Sequence, residues 1–290
     1  MKILVTGCAG FIGSYLTNRL LVESNQVIGV DNFNDYYDSK IKEENLEKAK
    51  ENKDFKLYRE DILDFKKLKE IFKSEKPDKV VHLAARAGVR PSIKNPLLYS
   101  KVNVLGTVNL LKLSVDFKVK QFIFGSSSSV YGDSKRLPFG EDDPCENIIS
   151  PYGVSKRAAE FWVESFYRTF GLRSVILRFF TVYGPRGRPD MAPALFSEAI
   201  ASGKLIRQFG DGSSSRDYTY IDDIINGVVR SLNLNADFEI INLGNNKSIS
   251  LLRFISTIEK KLRQKARIEK IDKQTGDVIT TWAKIEKANK

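Results

Sequence analysis

The sequence predicts an α/β fold, a doubly wound parallel sheet with a smaller mixed α/β lobe at its C-terminal end. Three observations predict it. Apolar, β-favouring runs alternate with helix-like stretches through the first 180 residues. The first of these runs, Ile3-Leu4-Val5-Thr6, breaks into glycines at spacings of three, Gly7, Gly10 and Gly13, and a helical pattern starts at Phe11. Beyond Gly184, Pro185, Gly187 and Pro189 the regular alternation ends, which sets a boundary there. At 290 residues the chain is long for one core and short for two independent ones. The expected division is therefore 1–180 and 181–290, with a returning segment near 210–243 belonging to the first unit.

Each element in turn supports that reading. The glycine turn leads a buried strand into a helix, begun by Phe11 and Ile12, whose first N–H groups and dipole suit a pyrophosphate. Gln26–Val30 is the second strand, and Asp31 ends it at the spacing of an acid that binds ribose hydroxyls. No arginine follows Asp31 directly, and its carboxylate repels a 2′-phosphate, so the expected cofactor is NAD rather than NADP. Residues 1–180 then read as an NAD-binding Rossmann domain. A charged helix is expected over 39–53 and a strand over 55–59. Asp61-Ile62 follows that strand, where a side chain and backbone can face an adenine. A short helix leads to a strand over 79–83, then Ala84-Ala85, small enough to let a cofactor lie close. Pro91 and Pro96 punctuate a loop, and a helix over 98–117 carries Asn103. A strand over 121–125 ends in Ser126-Ser127-Ser128-Ser129. An acid-rich loop over 137–150 precedes a helix from Pro151, and a strand follows over 173–179. The second unit is expected to hold helices near 192–202, 221–234 and 250–262, with strands at 205–209 and 239–243 and a loop between 209 and 221.

Composition narrows the function classes. Apolar residues make up 42% of the chain, enough for a real core. No apolar run reaches the roughly 18–20 residues of a membrane span, and the N-terminus reads as a core strand rather than a signal peptide. Two cysteines, Cys8 and Cys145, fit a reducing compartment, so a cytoplasmic location away from membranes is expected. The net charge of +11 comes from lysines interleaved with glutamates, as in Lys40-Ile41-Lys42-Glu43-Glu44 and Lys66-Lys67-Leu68-Lys69-Glu70. Those runs read as solvated helix faces, and nucleic acid is not an expected partner. The single histidine, His82, lies in the apolar run Val80-Val81-His82-Leu83 and reads as a packed strand residue. Ser-His-Asp chemistry would need it, and the His and Cys ligands of a metal cluster are lacking, so no metal is expected.

The chemistry therefore falls to other groups. Tyr152 and Lys156, four apart just after Pro151, share one helix face. A lysine cation beside a tyrosine is expected to pull down its pKa, ordinarily about 10, and make it a usable base. Downstream of a dinucleotide loop and a serine-rich strand end, the pair reads as a hydride-transfer site.

Gly7-x-x-Gly10-x-x-Gly13, Leu83-Ala84-Ala85, Ser126 to Gly132 and Tyr152-x-x-x-Lys156 together resemble the extended short-chain dehydrogenase/reductases, and among these the nucleotide-sugar 4-epimerases. The resemblance covers nearly the whole chain. It implies a catalytic trio of Ser127, Tyr152 as acid/base and Lys156 as its electrostatic partner. It assigns Asp31, Asn32, Asp61, Ile62, Asn103 and Phe180 to the cofactor, beside the glycine loop and Leu83-Ala84-Ala85. Family members that dehydrate the sugar need carboxylates beside the catalytic hydroxyl, and Ser128 and Ser129 stand there instead.

Arg178 to Pro185, Gly187 to Ala192, Ala87 to Arg90, Arg216 to Asp223 and Gln274-Thr275-Gly276-Asp277 are similar to the UDP-glucuronate 4-epimerase branch. By that resemblance Ser128, Ser129 and Thr181 leave room for a C6 carboxylate and donate to it. UDP-glucose epimerases usually have asparagine at the position of Thr181. Arg90, Arg188 and Arg216 are candidates for the anionic groups of the substrate, Phe209 for stacking on uracil and Asp277 for a ribose hydroxyl. A homodimer is implied by the resemblance alone. Two departures stand out: Arg186 replaces a usual tryptophan, and the family continues with a further helix or two past Thr281 to Ile285, so the lobe reads as short. The implied reaction is NAD-dependent C4 epimerisation of a UDP-sugar, UDP-glucuronate first, with UDP-glucose or UDP-N-acetylglucosamine as alternative substrates. A non-catalytic NAD-binding sensor or scaffold is the alternative of a different class.

Overall fold

A strand covered by helices on both sides is apolar on both faces, and the central strands here meet that condition. In the structure, a computed structural model that describes residues 1–272 and 276–290, every residue of β5 (Gln121–Ser127) is buried. It lies in a seven-stranded parallel sheet with β1 (Lys2–Thr6), β2 (Gln26–Val30), β3 (Phe55–Tyr58), β4 (Lys79–His82), β6 (Ser174–Phe179) and β10 (Phe238–Leu243). The order is β10-β6-β5-β4-β1-β2-β3. The chain therefore runs outward one way from β1 through β2 and β3, then crosses back to β4. Ligands of such sheets bind at this reversal, beyond the carboxyl ends of β1 and β4.

One apolar layer packs α1 (Phe11–Val22), α2 (Ser39–Lys50) and α9 (Ile221–Leu232) on one face through Leu16, Leu20, Leu46, Ile224 and Val228. The opposite layer packs α3 (Phe65–Glu75), α6 (Gly106–Asp116) and α7 (Pro151–Phe170) through Leu68, Phe72, Leu110, Leu111, Ala159 and Val163. Cys8 and Cys145 are both free and buried.

Several local expectations change. The stretch marked by Pro91 and Pro96 is two short helices rather than a loop, α4 (Val89–Lys94) and α5 (Pro96–Tyr99). Pro96 opens α5, where its missing N–H costs nothing. The helix from there to Asp116 is continuous but widens into π geometry over Ser100–Leu105, which carries Asn103. The expected loop between 209 and 221 contains β9 (Ser215–Tyr220), the middle of a three-stranded sheet with β7 (Thr181–Tyr183) and β11 (Ser248–Ser250). β8 (Leu205–Phe209) pairs with β12 (Arg267–Ile271), also not foreseen. β7 and β11 are three residues long, and β9 and β12 are largely polar, so none carries a clear period-two apolar pattern. The remaining helices are α8 (Ala192–Ala201) and α10 (Leu251–Leu262). Residues 221–243 return to the large sheet as α9 and β10, while Ser215–Tyr220 stays with the small one. Among the described residues no helix is long and apolar enough to cross a membrane.

Candidate active site

The glycine turn is built by close contact. Gly7 has φ of +70°, its N–H donates to Val30 O at 2.8 Å, and a Cβ there would meet Ala84 N at 2.8 Å. Gly10 caps α1 without a side-chain hydrogen bond, so the first N–H groups of that helix stay open to an anion. Asp31 is buried beside the turn. Its Oδ2 accepts from Ala9 N at 3.1 Å and its Oδ1 from Phe33 N at 2.9 Å, while burial pushes its carboxyl above the usual range. Asn32 donates to Asp61 Oδ2 at 2.8 Å, and Asp61 Oδ1 accepts from Leu63 N.

These groups line one cleft of about 300 Å³. It brings together Gly7, Gly10, Phe11, Ile12, Gly13, Asp31, Asn32, Asp61, Ile62, Leu83, Ala84 and Ala85 with Tyr152 and Lys156. Two expected cofactor residues stand off its wall. Asn103 lies behind it, accepting from Arg86 N at 2.7 Å and donating to Arg86 O and to Ser155 Oγ, both at 2.9 Å. It clamps the segment after β4 to α7. Phe180 packs against Tyr131 and Phe139, and Phe179 lines the cleft in its place. Successive side chains along an extended segment project to opposite sides, so only one of the two rings can face the cleft. The cleft also includes residues the sequence did not single out, Tyr36, Lys42 and Arg86 among them. Lys42 sits in a run read as a solvated face, yet it is buried and donates to Asn34 O at 2.8 Å.

Tyr152 is placed by α7, which Ser150 caps by accepting from Gly153 N at 3.1 Å. The Tyr152 N–H donates to Ser92 Oγ at 3.0 Å, and its ring packs edge-on against Tyr99. Burial pushes the phenol pKa up, opposed by the Ser127 hydroxyl and by the Arg188 guanidinium. The Lys156 ammonium donates to Gly125 O at 2.7 Å. Burial brings Lys156 down to about 8, with Glu160 opposing.

Arg188 lines the cofactor cleft, donates to Tyr36 Oη at 3.1 Å and pairs with Asp190. Ser129 touches Ser127, its N–H donating to Ser127 Oγ at 3.1 Å. Ser128 starts a 3-10 turn over Ser128–Tyr131, and Thr181 opens β7 opposite Tyr218. None of Ser128, Ser129 and Thr181 is a wall residue of the cleft. His82 is fully buried, with Thr6 Oγ1 at 2.7 Å from Nδ1 and Thr107 Oγ1 at 3.0 Å from Nε2, and takes no part.

A second cavity of about 480 Å³ gathers Arg90, Phe209, Arg216 and Asp277, which the sequence scatters over nearly two hundred positions. Arg90 pairs with Asp277 at 3.0 Å and lies 4.0 Å from the centre of the Phe209 ring. Arg216 is held by the carbonyls of Ser215 and Ile279. Two arginines beside an aromatic face suit a nucleoside diphosphate. Of the Gln274 to Asp277 motif, Gln274 and Thr275 lie outside the described residues. Arg186 bonds to Asn45 O at 3.3 Å and lies over the Tyr15 ring, outside the walls of both cavities. Among the described residues no group of three or more His, Cys, Asp or Glu could hold a metal ion.

The "NAD dependent epimerase/dehydratase family" matches residues 3–244. A UDP-glucuronate 4-epimerase of Thermodesulfobacterium geofontis is 45% identical over 288 residues, covering 99% of this chain and 88% of that protein. The crystal structure of a Bacillus cereus UDP-glucuronic acid 4-epimerase in complex with UDP-glucuronic acid and NAD superposes with a TM-score of 0.94 at 39% identity, covering 100% of this chain and 92% of that one. A UDP-glucose 4-epimerase of Thermotoga maritima with UDP-glucose gives 0.91 at 33% identity, covering 100% and 91%.

Proposed function

The chain belongs to the NAD dependent epimerase/dehydratase family, and from that premise we propose that it interconverts UDP-glucuronate and UDP-galacturonate by NAD-dependent inversion at C4. The observation that carries this is α4, which joins the two cavities. Arg90 on that helix lines the nucleotide pocket, and Ser92, two residues on, holds the backbone of Tyr152.

The cleft residues fit NAD. The glycine turn leaves no space for a Cβ at Gly7, the α1 N-terminus is open, and the buried carboxylate of Asp31 faces the place of a ribose. When bound, NAD supplies a reversible acceptor for the hydrogen on C4. Tyr152 takes the O4 proton as that hydrogen leaves, which gives a transient 4-keto sugar. Ser127 is assigned to steady O4. Once the keto sugar has turned over, the same hydrogen comes back to the opposite face of C4, the phenol gives its proton back to O4, and the net change is inversion alone.

A 4-keto uronate is a β-keto acid, so the C6 carboxylate must be held with its C–C bond out of line with the ketone. Ser128 and Thr181 are assigned that grip, with Ser129 beside them. Arg188 lines the same cleft as Tyr152 and is assigned to the uronate, whereas Arg90, Phe209, Arg216 and Asp277 are assigned to UDP. No carboxylate stands at Ser128 or Ser129 to drive dehydration. We assign a homodimer to the exposed apolar side chains of two adjoining helical stretches, Leu97 and Leu105 on one and Val154, Phe161 and Trp162 on α7. The two unpaired cysteines favour the cytoplasm.

The test is product analysis. The purified protein is incubated separately with UDP-glucuronate, UDP-glucose and UDP-N-acetylglucosamine, and the products are resolved by chromatography. UDP-galacturonate is expected to form fastest. Faster turnover of a neutral sugar would make the protein a UDP-glucose or UDP-N-acetylglucosamine epimerase, and NAD binding with no turnover would support a sensor or scaffold. Tyr152→Phe is expected to lose turnover while keeping bound NAD.

A further inference from the structure

The last three residues of β5 each hold something different. Gly125 O accepts from the Lys156 ammonium, Ser126 Oγ donates to Glu160 Oε1 at 2.6 Å, and Ser127 Oγ donates to Ser129 Oγ at 3.2 Å while accepting from Ser129 N. The ladder does not hold this strand end on both sides. β4 pairs with β5 only as far as His82 opposite Phe124, whereas β6 continues alongside to Phe179 opposite Ser127. On the open side lies the cofactor cleft, whose wall includes Gly125 and Ser126.

Glu160 is itself fixed. Its two oxygens accept from Arg178 Nε at 3.0 Å, Arg178 Nη2 at 2.9 Å and Arg157 Nη1 at 2.8 Å, and the Glu160 and Arg178 side chains are each only 1% exposed. Arg178 continues to Tyr131 Oη at 3.0 Å, and Tyr131 donates to Asn242 Oδ1 at 2.7 Å. Apolar residues of similar volume often replace a buried pair of this kind without loss of stability, so stability alone does not account for it. What the carboxylate adds is an immobile acceptor aimed at one cleft hydroxyl.

We propose that Ser126 is a positioning residue for the reaction: tethered to the buried Glu160 carboxylate of α7, it holds the β5 end, which β4 leaves unpaired, against that helix, so that Gly125 stays in place for Lys156 and Ser127 for the substrate. The proposal rests on the assignment of Tyr152, Ser127 and Lys156 given above. Ser126 acts through its neighbours and has no role in proton transfer. Glu160 follows Lys156 by one turn of α7, so the same helix carries the ammonium and the anchor of the strand that receives it.

The test is Ser126→Ala in the NAD-loaded enzyme, measured beside Tyr152→Phe. Loss of one hydrogen bond to a charged acceptor is expected to lower kcat for UDP-sugar epimerisation about tenfold. KM for the UDP-sugar should stay within about twofold, because the pocket assigned to UDP is untouched; bound NAD should be retained, and the thermal midpoint should fall by no more than a few degrees. Ser126→Cys, which keeps a weak donor at nearly the same volume, is expected to fall between, and it carries the test if the alanine variant does not fold. An unchanged kcat, or a KM that rises in step with any loss, overturns the proposal. Activity surviving in Tyr152→Phe would instead overturn the site assignment on which it rests.

Discussion

Asp31 Oδ2 accepts from the backbone N–H of Ala9 at 3.1 Å, across 22 residues of sequence. The contact joins the end of β2 to the glycine turn after β1, so the groups assigned to ribose and pyrophosphate move as one body. Phe33 N holds the other oxygen, which fixes the carboxylate in plane. Asp31→Asn keeps the shape but sets an NH2 group against one of these N–H donors and removes the charge. A charge-assisted hydrogen bond contributes about 1.5–3 kcal/mol, so NAD affinity is expected to fall about ten- to a hundredfold by calorimetry, with weaker discrimination against NADP. Unchanged affinity would remove Asp31 from the cofactor site.

A second prediction concerns acid stability. Thr6 Oγ1 already accepts from Leu83 N and Ala84 N, so its own proton goes to His82 Nδ1. Thr107 donates to Asn103 O and accepts from His82 Nε2. The imidazole is thereby held neutral, and burial brings its pKa from 6.5 down to about 3. Between those values the unfolded chain binds a proton that the folded one refuses, so stability is lost as pH falls from about 6.5 towards 3. Thermal midpoints of wild type and His82→Asn across that window should converge as the pH falls. A parallel pair of curves would mean that His82 does not set the acid limb.

The parts of this molecule that the sequence revealed are those whose chemistry is set by local spacing. Gly7, Gly10, Gly13 and Asp31, and the Tyr152–Lys156 pair, are fixed by one turn, one strand length or one turn of helix. Arg90, Phe209, Arg216 and Asp277 became legible only through family resemblance, since no local rule relates them. Burial hid the rest. Lys42 looks like its exposed neighbours until α2 is laid against the cleft, and Phe179 and Phe180 are indistinguishable until the strand's facing is known. Nor does a shared helix face say that the Lys156 ammonium donates to Gly125 O.

The nucleotide pocket gives a third prediction. Arg90 stacks on Phe209 while paired with Asp277, and the ring lines the cavity assigned to UDP. Stacking on an aromatic is worth about 1–3 kcal/mol, so Phe209→Ala is expected to raise KM for the UDP-sugar about ten- to a hundredfold. Since the ring is far in role from the proton transfer, kcat should stay within about twofold. A fall in kcat at constant KM would place Phe209 elsewhere in the reaction.

Burial raises the Tyr152 phenol, and Arg188 and Ser127 only partly offset it. A cation beside a phenol favours its charged form, so the positively charged oxidised nicotinamide should lower that pKa and the neutral reduced form should not. Tyrosinate absorbance, taken as wild type minus Tyr152→Phe, is expected to appear at lower pH in the NAD⁺-loaded protein than in the NADH-loaded one. Coincident titrations would show that the nicotinamide does not lie against the phenol.

Two glycines separate close packing from backbone conformation. A Cβ at Gly13 would lie 2.0 Å from Gly7 O and 2.8 Å from Gly7 C, inside the turn assigned to the cofactor. Both contacts are backbone, so α1 would have to lift from β1 to admit a methyl group. At Gly171, where α7 ends, φ is +70° but nothing lies within 4 Å of an added Cβ. Gly171→Ala therefore meets only the left-handed backbone penalty, about 1 kcal/mol, and should lower the thermal midpoint by a few degrees with NAD binding intact. Gly13→Ala is expected to lose bound NAD, and calorimetry on the two variants side by side reads the difference. If Gly13→Ala kept NAD at wild-type affinity, the glycine spacing would be serving the turn alone and not the approach of helix to phosphate.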